Sequence, residues 1–499
     1  MVAPLPLAQL AAGLGATIVD RSADGSMTGD CVTGISQDSR AVVPGDLYLA
    51  RAGEHAHGAA FTAQAAAAGA VGVLTDPAGV AEATATGLPV LVVEDARAAA
   101  GSAASAVYGH PIRTLRAYAV TGTNGKTTTT FLVEGGLRAA GAVTGLIGTI
   151  ETRVAGERLP SARTTPEATD LHALFAVLRE RGATAVAMEV SSHALALGRV
   201  DGVVFDVAGF TNLTQDHLDF HPDLESYFAA KARLFTPEHA TAGVVNGDDP
   251  YGRRLRDSAA VPIATYGLGA GLDWRATNVD AGPTGSTFTV HAPDGRSAAA
   301  AVQLPGAFNV SNAVLAIAML VTGGLELEVA VAGVRTVAGV PGRMERVDAG
   351  QSFLAIVDYA HTPDAVETLL AALRPMTRGR LIAVLGCGGD RDRGKRPLMG
   401  AALARGADVA VLTSDNPRSE DPAVILDQMR AGVTEAGARA VVHVEVDRAA
   451  AIAFAVSLAG PLDTVVVAGK GHEQGQDLGG VVTPFDDRDV LRAAIGAHR

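Results

Sequence analysis

The chain has 499 residues, of which 48% are hydrophobic and 19% charged, a composition typical of folded globular proteins, and its length predicts roughly three domains. Its net charge of −13 argues against a general nucleic-acid-binding protein, which normally carries a basic surface. The N-terminus has no basic signal-peptide start, and no apolar run reaches ~18 residues, so we expect no membrane insertion. The two cysteines, Cys31 and Cys387, cannot build a disulfide framework, so we expect a cytoplasmic protein.

Apolar runs and boundary signals divide the chain into three segments. Residues 1–112 mix short β-like runs such as GDLYLA with an alanine-rich helical stretch at 59–69. Residues 113–341 alternate strand, loop and helix, which favours an α/β fold with a mostly parallel sheet covered on both faces. After the boundary AGVPGRMERV, residues 342–499 contain apolar runs that each end in a glycine-rich or polar loop. Ligands of such sheets bind at the carboxyl ends of the strands.

The sequence AVTGTNGKTTTTF differs from the phosphate-binding pattern G-x-x-x-x-G-K-[ST] at one position, where Val120 replaces the first glycine. A glycine-rich loop between a strand and a helix directs backbone N–H groups at an anion. Lys126 would reach the outer phosphates of a nucleotide, and Thr127 would bind Mg²⁺. The predicted ATP-phosphate site comprises Gly122, Thr123, Asn124, Gly125, Lys126, Thr127 and Thr128.

Three further residues are candidate metal ligands beside this loop. Glu189 ends an apolar run, His217 follows another, and Lys231 lies in a helical stretch with apolar neighbours. Taken singly, they could instead be a capping glutamate, a loop histidine and a lysine with a buried stem. Lysine becomes an anionic ligand only if carbon dioxide carbamylates its neutral amine, which burial makes feasible by lowering the pKa. Only four lysines occur in the chain, at 126, 231, 395 and 470, which suggests that each is needed as an amine or ammonium.

Several motifs occur in order along essentially the whole chain and together resemble the Mur ligases: TGTNGKTT, MEVSSHAL, TNLTQDHLDFH, FNVSNA, PGRMERV, DYAHTPD, GDRDRGKRP, DNPR and GKGHE. The resemblance implies an N-terminal UDP-sugar-binding domain (1–112), a central P-loop ATPase domain (113–341) and a C-terminal Rossmann-like amino-acid-binding domain (342–499). It also implies that Lys231 matches the family's carbamylated lysine near Mg²⁺. We expect the enzyme to act as a monomer.

The reaction implied by the resemblance is ATP-dependent amide ligation in peptidoglycan synthesis. Because a carboxylate is a poor electrophile, phosphoryl transfer from ATP would first convert the D-glutamate carboxylate of UDP-MurNAc-L-Ala-D-Glu into an acyl phosphate. An amino acid would then attack it. ATP is thus the expected co-substrate and Mg²⁺ the expected cofactor, with charge on the transferred group offset by Mg²⁺ and Lys126.

Other nucleotide contacts are also implied by the resemblance. Asn312 would lie near adenine, and Asp358 and His361 near the ribose and phosphates. Arg343 would contact phosphate after domain closure. The alternatives are that Asn312 is an ordinary helix residue and that Asp358 caps a strand end.

For the UDP-sugar peptide, the matching positions are Ser39, Glu54, His55, Ala56, Thr164, Thr165, Ser191 and Arg199. Taken alone, the serine and threonines would more often be turn residues. Two positions depart from the family pattern, because Leu197 replaces a glutamine and Arg163 replaces an asparagine. The corresponding substrate contacts are therefore not carried over.

The motif DNPR bears on the choice of amino acid. Arginine pairs with carboxylates in a bidentate geometry, so Arg418 and Arg391 suit an amino acid with a carboxylate at its far end. Meso-diaminopimelate has one and lysine does not. The predicted set is Arg391, Asp415, Asn416, Pro417, Arg418, Gly469 and Glu473, the last two holding the distal ammonium end.

A surface Asp-Asn-Pro turn with a solvated arginine is the structural alternative at this motif. Rival functions within the enzyme class are a lysine-adding ligase, a dipeptide-adding ligase and a folylpolyglutamate-type ligase. From another class, the chain could be an ATP-driven switch or a non-catalytic nucleotide-binding scaffold. The complete set of Lys126, Glu189, His217 and Lys231 weighs against the last two.

Overall fold

The computed structural model of the protein describes residues 2–19, 31–53, 55–159 and 163–498. Sheets of five, eleven and six strands follow one another along the chain, which confirms the predicted α/β fold class. Within the described ranges, no helix is both long and apolar enough to cross a membrane. The domain boundaries inferred from the sequence stay a prediction.

The N-terminal part places a five-stranded sheet in the order β2-β7-β6-β5-β4, which is parallel except for β2. Its elements are β1 (Leu5–Pro6), α1 (Leu7–Leu14), β2 (Thr17–Val19), β3 (Cys31–Val32), β4 (Gly34–Ser36), β5 (Asp46–Ala50), α2 (Thr62–Ala67), β6 (Gly72–Thr75), α3 (Val80–Thr84), β7 (Val90–Val92) and α4 (Ala96–Val107). The alanine-rich stretch at 59–69 forms only the short helix α2 and a preceding 3-10 turn, Gly58–Phe61.

The central part contains the largest sheet of the described chain. Its elements are β8 (Arg116–Thr121), α5 (Lys126–Ala139), β9 (Thr144–Ile147), β10 (Thr152–Val154), β11 (Glu157–Leu159), α6 (Ala168–Glu180), β12 (Ala185–Glu189), α7 (Ser192–Ala196), β13 (Val207–Phe210), α8 (Leu224–Ala232), β14 (Gly243–Asn246), α9 (Pro250–Ser258), β15 (Ile263–Gly267), β16 (Trp274–Gly282), β17 (Gly285–His291), β18 (Ser297–Val302), α10 (Ala307–Thr322) and α11 (Leu327–Arg335).

The strand order of this sheet is β11-β10-β9-β12-β8-β13-β14-β15-β16-β17-β18. In this spatial order, the strands from β9 through β12, β8, β13, β14 and β15 to β16 run parallel to one another. The inner strands of this group are fully buried, because helices cover both faces of the sheet. Antiparallel strands extend both edges, namely β10 and β11 on one side and β17 and β18 on the other. The sequence pattern did not predict these antiparallel additions.

The C-terminal part forms a six-stranded sheet in the order β19-β20-β24-β21-β22-β23, which is parallel except for β19. Its elements are β19 (Glu345–Arg346), β20 (Leu354–Asp358), α12 (Pro363–Leu373), β21 (Leu381–Leu385), α13 (Lys395–Gly406), β22 (Val409–Leu412), α14 (Pro422–Glu435), β23 (Val441–Val444), α15 (Arg448–Leu458), β24 (Thr464–Ala468), β25 (Gly475–Leu478), β26 (Val481–Pro484) and α16 (Asp487–His498).

The predicted site residues follow the carboxyl ends of strands in both large parallel sheets. The phosphate loop follows β8, and Glu189 ends β12. In the C-terminal sheet, Asp358 ends β20, the DNPR motif follows β22, and the GKGHE motif follows β24. Parallel strands bring these ends to one edge of each sheet, which is where open α/β sheets bind ligands.

Candidate active site

A cavity of about 750 Å³ lies where the central and C-terminal parts meet. Of the predicted site residues, those lining it are Thr123, Asn124, Gly125, Lys126, Thr127, Thr128, Thr164, Thr165, Glu189, Ser191, Arg199, His217, Asn312, Arg343, Asp358, His361 and Arg391. Those described by the structure but not lining it are Ser39, His55, Ala56, Gly122, Lys231, Asp415, Asn416, Pro417, Arg418, Gly469 and Glu473. Glu54 lies outside the described residues.

The phosphate loop connects β8 to the N-terminus of α5 with two glycines in left-handed backbone conformations, Gly122 (φ 140°) and Gly125 (φ 87°). A Cβ at Gly125 would lie 2.5 Å from Asn312 Oδ1, so only glycine fits against this amide. The Lys126 ammonium donates to the carbonyl oxygens of Gly122 and Thr123, each at 2.9 Å. Burial lowers the pKa of Lys126. The loop therefore presents backbone and a cation to the cavity.

Glu189 organises the metal-binding side of this loop. Its Oε2 accepts hydrogen bonds from Thr127 Oγ1 (2.9 Å) and Thr149 Oγ1 (3.0 Å), and its Oε1 accepts from the Thr149 N–H (2.7 Å). Adjacent oxygen ligands of octahedral Mg²⁺, each ~2.1 Å from the ion, lie about 3 Å apart. The spacing of Thr127 Oγ1 and Glu189 Oε2 thus fits this ion.

Among the described residues, no group of three or more His, Cys, Asp or Glu side chains could hold a metal ion. A bound Mg²⁺ would therefore need further oxygens from phosphate and water, as is usual for Mg²⁺ at nucleotide sites. The donor set fits a nucleotide-bound Mg²⁺.

His217 lines the same cavity as the loop, whereas Lys231 contacts the loop from a buried position. The His217 Nε2 atom lies 3.4 Å from Asp216 Oδ2. Burial lowers the pKa of the His217 imidazole. The Lys231 side chain is only 1% exposed, and its ammonium donates to the Gly122 carbonyl (2.8 Å). Burial, followed by the charge of Lys126, lowers the pKa of Lys231 well below its ordinary value. Two ammonium groups thus share one carbonyl oxygen.

Asp216, in the motif TNLTQDHLDFH, is a cavity residue that the sequence reasoning missed. Burial opposes its ionisation, but the nearby His217, His361, Lys395 and Lys126 outweigh burial and lower the pKa of Asp216. Its position directly before His217 was the available signal. Together with Glu189 and Asp358, this carboxylate adds negative charge to the cavity wall.

Arg343 connects the C-terminal part to the phosphate loop. Its Nη2 donates to Thr127 Oγ1 (3.2 Å), and its guanidinium lies 4.3 Å from the centre of the Tyr359 ring. The contact between Arg343 and the loop is made in this structure, and the expectation that it requires domain closure stays a prediction. Next to this ring, the Tyr359 carbonyl lies 2.8 Å from His361 Nδ1. Burial lowers the pKa of His361.

Asp358 is engaged by the backbone around it. Its Oδ2 accepts from the Met344 N–H (2.7 Å) and its Oδ1 from the Ala360 N–H (2.8 Å). This is the strand-end capping arrangement, although the residue also lines the cavity. Asn312 donates to Asn309 Oδ1 (3.0 Å), which holds its amide oxygen toward Gly125.

Candidate residues for the UDP-sugar peptide separate into two places. Thr165 Oγ1 donates to the Glu189 carbonyl (2.9 Å) and accepts from the Ser191 N–H (3.1 Å), while Thr164 Oγ1 lies 3.0 Å from Thr149 Oγ1. These residues lie at the cavity wall. A second group lies on the N-terminal part, where Ser39 donates to Gln64 Oε1 (2.9 Å) and His55 and Ala56 are exposed.

An arginine cluster lies between these two places. Glu167 Oε1 pairs with Arg199 (2.8 Å) and Arg163 (2.7 Å), and Arg51 approaches Glu167 Oε2 at 3.9 Å. Burial and the nearby charge of Arg97 lower the pKa of Arg51, and burial also lowers that of Arg199. Three guanidinium groups therefore surround one carboxylate, and the charge of Arg97 acts on two of them, Arg51 and Arg199. Sequence reasoning missed Arg51, Arg97 and Glu167, which are distant in sequence from Arg199.

The DNPR and GKGHE residues form a cluster beside the cavity. Asn416 Nδ2 donates to Glu473 Oε2 (2.9 Å), and Arg418 donates to the Gly389 carbonyl (2.5 Å). Gly469 has φ 111°, and a Cβ there would lie 2.8 Å from Asp415 Oδ2. The structure therefore brings the two motifs together, while Arg391 alone of the predicted amino-acid set reaches the cavity wall.

Comparison with known families accounts for most of the chain. The profile of the Mur ligase middle domain matches residues 120–320, and that of the Mur ligase glutamate ligase domain matches residues 342–471. A third profile, the catalytic domain of the Mur ligase family, matches residues 31–108. The chain belongs to the Mur ligase family.

Relatives of this Mur ligase include two UDP-N-acetylmuramoyl-L-alanyl-D-glutamate–2,6-diaminopimelate ligases. That of Streptomyces coelicolor is 60% identical over 99% of this chain and 97% of its own length. That of Corynebacterium glutamicum is 48% identical over 93% of this chain and 92% of its own.

A solved structure of a UDP-N-acetylmuramoyl-L-alanyl-D-glutamate–2,6-diaminopimelate ligase has a TM-score of 0.67 at 36% identity. The match covers 95% of this chain and 97% of the solved chain. MurF from Acinetobacter baumannii also has a TM-score of 0.67, at 20% identity over 99% of both chains. Folylpolyglutamate synthase from Mycobacterium tuberculosis has a TM-score of 0.60 at 20% identity, covering 74% of this Mur ligase and 92% of its own chain. The last two show likeness of fold alone.

Proposed function

We propose that this Mur ligase joins meso-diaminopimelate to UDP-MurNAc-L-Ala-D-Glu with consumption of ATP, a step of peptidoglycan synthesis in the cytoplasm. The observation that carries the proposal is a single cavity that contains the phosphate loop, Ser191 and Arg199 of the central part, and Arg343 from the C-terminal part. A phosphoryl donor and an acceptor carboxylate can meet there. The 60% identity to a ligase named for this reaction supports the choice of substrates.

The chemistry balances in two steps. An oxygen of the D-glutamate carboxylate attacks the γ-phosphorus, the bond to ADP breaks, and an acyl phosphate results. The neutral amine of diaminopimelate then attacks the carbonyl carbon, orthophosphate leaves with the electrons of the C–O bond, and the nitrogen loses a proton. Lys126 would offset the charge on the transferred group, and so would Arg343, whose Nη2 lies 3.2 Å from Thr127 Oγ1.

The residues that would hold Mg²⁺ are Thr127 and Glu189, with His217 and carbamylated Lys231 as ligands of a second ion. When bound, Mg²⁺ supplies Lewis-acid polarisation of phosphoryl oxygens. The protein side chains meanwhile orient the loop, since Glu189 fixes both Thr127 and Thr149 by hydrogen bonds.

The surroundings of Lys231 support its carbamylation. Complete burial and the adjacent Lys126 ammonium favour the neutral amine. Its lone pair attacks the carbon of CO₂, an N–C bond forms, and one proton is released, which leaves N6-carboxylysine. The product is an anion beside Lys126, so the repulsion between two ammonium groups at the Gly122 carbonyl becomes an attraction.

The UDP-sugar peptide would lie across the N-terminal and central parts. Ser39, Glu54, His55 and Ala56 would bind the UDP end on residues 1–112. Thr164, Thr165, Ser191 and Arg199 would bind the peptide end at the cavity. The arginine cluster between them has more positive than negative charge, which suits an acidic substrate.

The C-terminal residues 342–499 would bind the incoming amino acid. Arg391 and Arg418 would pair with its far carboxylate, Gly469 and Glu473 would hold its distal ammonium end, and Asp415, Asn416 and Pro417 would complete the site. Lysine would leave both guanidinium groups without a carboxylate partner, so it should bind more weakly than diaminopimelate.

The test is ATP consumption by the purified protein with UDP-MurNAc-L-Ala-D-Glu and either meso-diaminopimelate or lysine. We expect turnover with diaminopimelate, and ¹⁸O from a labelled D-glutamate carboxylate should appear in the released orthophosphate. Turnover with lysine alone would instead support the lysine-adding alternative. Orthophosphate without ¹⁸O would refute the acyl-phosphate route.

A further inference from the structure

The ammonium of Lys470 is completely buried in the loop after β24, outside the ATP-binding wall. It donates to Asn416 Oδ1 and to Glu473 Oε2, each at 2.9 Å. Both partners belong to the proposed amino-acid site. No role in phosphoryl transfer accounts for this cation, because its contacts face away from the phosphate loop toward the DNPR motif.

Lys470 determines how the Asn416 amide is oriented. Asn416 Oδ1 accepts from the Lys470 ammonium and from the Asp477 N–H (3.1 Å), while its Nδ2 donates to Glu473 Oε2 (2.9 Å). If the Asn416 amide were flipped, its NH₂ group would face two donors, the Lys470 ammonium and the Asp477 N–H. Nδ2 would then lose its acceptor, Glu473 Oε2. The ammonium, the amide and the carboxylate thus form a closed triangle with a single consistent orientation.

The triangle also fixes one half of the Glu473 carboxylate. Oε2 accepts from both Lys470 and Asn416, whereas Oε1 accepts no hydrogen bond from the described residues. The Glu473 side chain is 32% exposed, so Oε1 is accessible to a ligand. A carboxylate with one oxygen anchored and the other accessible is suited to accepting a ligand ammonium group.

We propose that Lys470 is a positioning residue that holds Asn416 and Glu473 for the distal ammonium of the amino-acid substrate. This inference rests on the proposed function. Lys470 itself does not touch the substrate. It acts by keeping Glu473 Oε1 directed outward and by offsetting the charge of the carboxylate until the ligand arrives.

The backbone around Lys470 supports this role. Gly469 (φ 111°) and Gly471 (φ 54°) flank it in left-handed conformations that turn the side chain inward. A Cβ at Gly342 would lie 2.1 Å from His472 N, so the loop packs directly against the segment that carries Arg343. Lysine fits here as a compact point charge, whereas the planar fork of arginine needs more room and different acceptors.

The kinetic test compares Lys470→Met with the wild-type enzyme on meso-diaminopimelate and on 2-aminopimelate, which lacks the distal amino group. We expect KM for diaminopimelate to rise about 10- to 100-fold through loss of a charged hydrogen-bond partner. KM for ATP and for 2-aminopimelate should stay within about 3-fold, because neither uses Glu473. A general loss of structure would raise all of them. Arg405→Met, which removes an exposed surface cation on α13, is the matched control.

A double variant tests whether Lys470 acts through Glu473. Glu473→Gln should raise KM for diaminopimelate similarly, and Lys470→Met combined with Glu473→Gln should be no worse than the poorer single variant. Additive effects would contradict the proposed coupling. An unchanged KM for diaminopimelate in a folded Lys470→Met variant would overturn the inference. Lack of wild-type turnover with diaminopimelate would instead refute the proposed function.

A second measurement does not depend on the folding of a variant. Because the chain has only four lysines, ¹⁵N labelling of lysine side chains yields few ammonium resonances, and that of Lys470 can be assigned by elimination. We expect diaminopimelate to shift the Lys470 resonance and 2-aminopimelate to leave it in place. Equal shifts with both compounds, or no shift with either, would contradict the inference.

Discussion

The buried ion pair between Arg448 and Asp487 allows a sharp prediction about stability. Both side chains are 0% exposed, and Arg448 donates to Asp487 through Nε (2.8 Å) and Nη2 (2.7 Å). The same guanidinium donates to the carbonyls of Ser414 (3.1 Å) and Ala468 (2.9 Å). These carbonyls directly precede the DNPR and GKGHE motifs, so the pair supports the proposed amino-acid site.

Asp487→Asn keeps the size of the side chain but leaves the guanidinium without a counter-charge. Breaking a buried pair in this way costs about 3–5 kcal/mol in the free energy of unfolding. Arg448→Met should cost at least as much, because it also deprives the two carbonyls of their donor. In the double variant Arg448→Met with Asp487→Leu, no buried charge remains, and we expect a loss of about 2–4 kcal/mol from the unsatisfied carbonyls.

Urea unfolding followed by circular dichroism measures these losses, with hydrogen exchange of α15 and α16 to localise them. Tryptophan fluorescence is unsuitable because the single tryptophan, Trp274, lies in the central sheet. A loss below about 1 kcal/mol in Asp487→Asn would refute the reasoning, since it would mean that the charge is not desolvated. So would a double variant whose loss equals the sum of the single losses.

Three further predictions concern the active site and the fold. Arg343→Met should lower kcat about 10²- to 10³-fold, whereas the exposed neighbour Arg346→Met should not, as measured by steady-state ATP turnover. Lys231→Ala should be inactive and partly restored by a short-chain carboxylic acid that replaces the carbamate, measured by orthophosphate release. Burial lowers the pKa of His172 to about 4 from its ordinary 6.5, so the folded state binds fewer protons than the unfolded state between these values. The contribution of His172 to stability should therefore be constant above pH 6.5 and fall by about 3 kcal/mol toward pH 4, so His172→Phe should lose less stability than the wild type over this range in urea unfolding.

Each of these predictions has a contrary outcome. Equal kcat for the two arginine variants would show that Arg343 does not act on the phosphoryl group. Absence of rescue in Lys231→Ala, together with a crystal structure showing a bare ammonium, would refute carbamylation. An unchanged acid sensitivity in His172→Phe would assign the titration to other groups.

Much of the candidate site was predictable because it is local in sequence. The glycine-rich loop, Lys126 and Thr127 lie within a few residues of one another, and their arrangement follows from a strand-loop-helix unit. The apolar runs that became β8, β12 and β13 were equally clear, since fully buried parallel strands are continuously apolar. The antiparallel strands β17 and β18 were missed because their partial exposure weakens that pattern.

The amino-acid sequence by itself determined the fold class, the phosphate loop and which motifs carry charged groups. Only the tertiary structure decided which of those groups meet: Arg343 with Thr127, Lys470 with Asn416 and Glu473, and three arginines with Glu167. The physical reason is that backbone preference and hydrophobic periodicity act over a few residues. Ion pairing and desolvation instead depend on distances between side chains that the sheets bring together from remote positions.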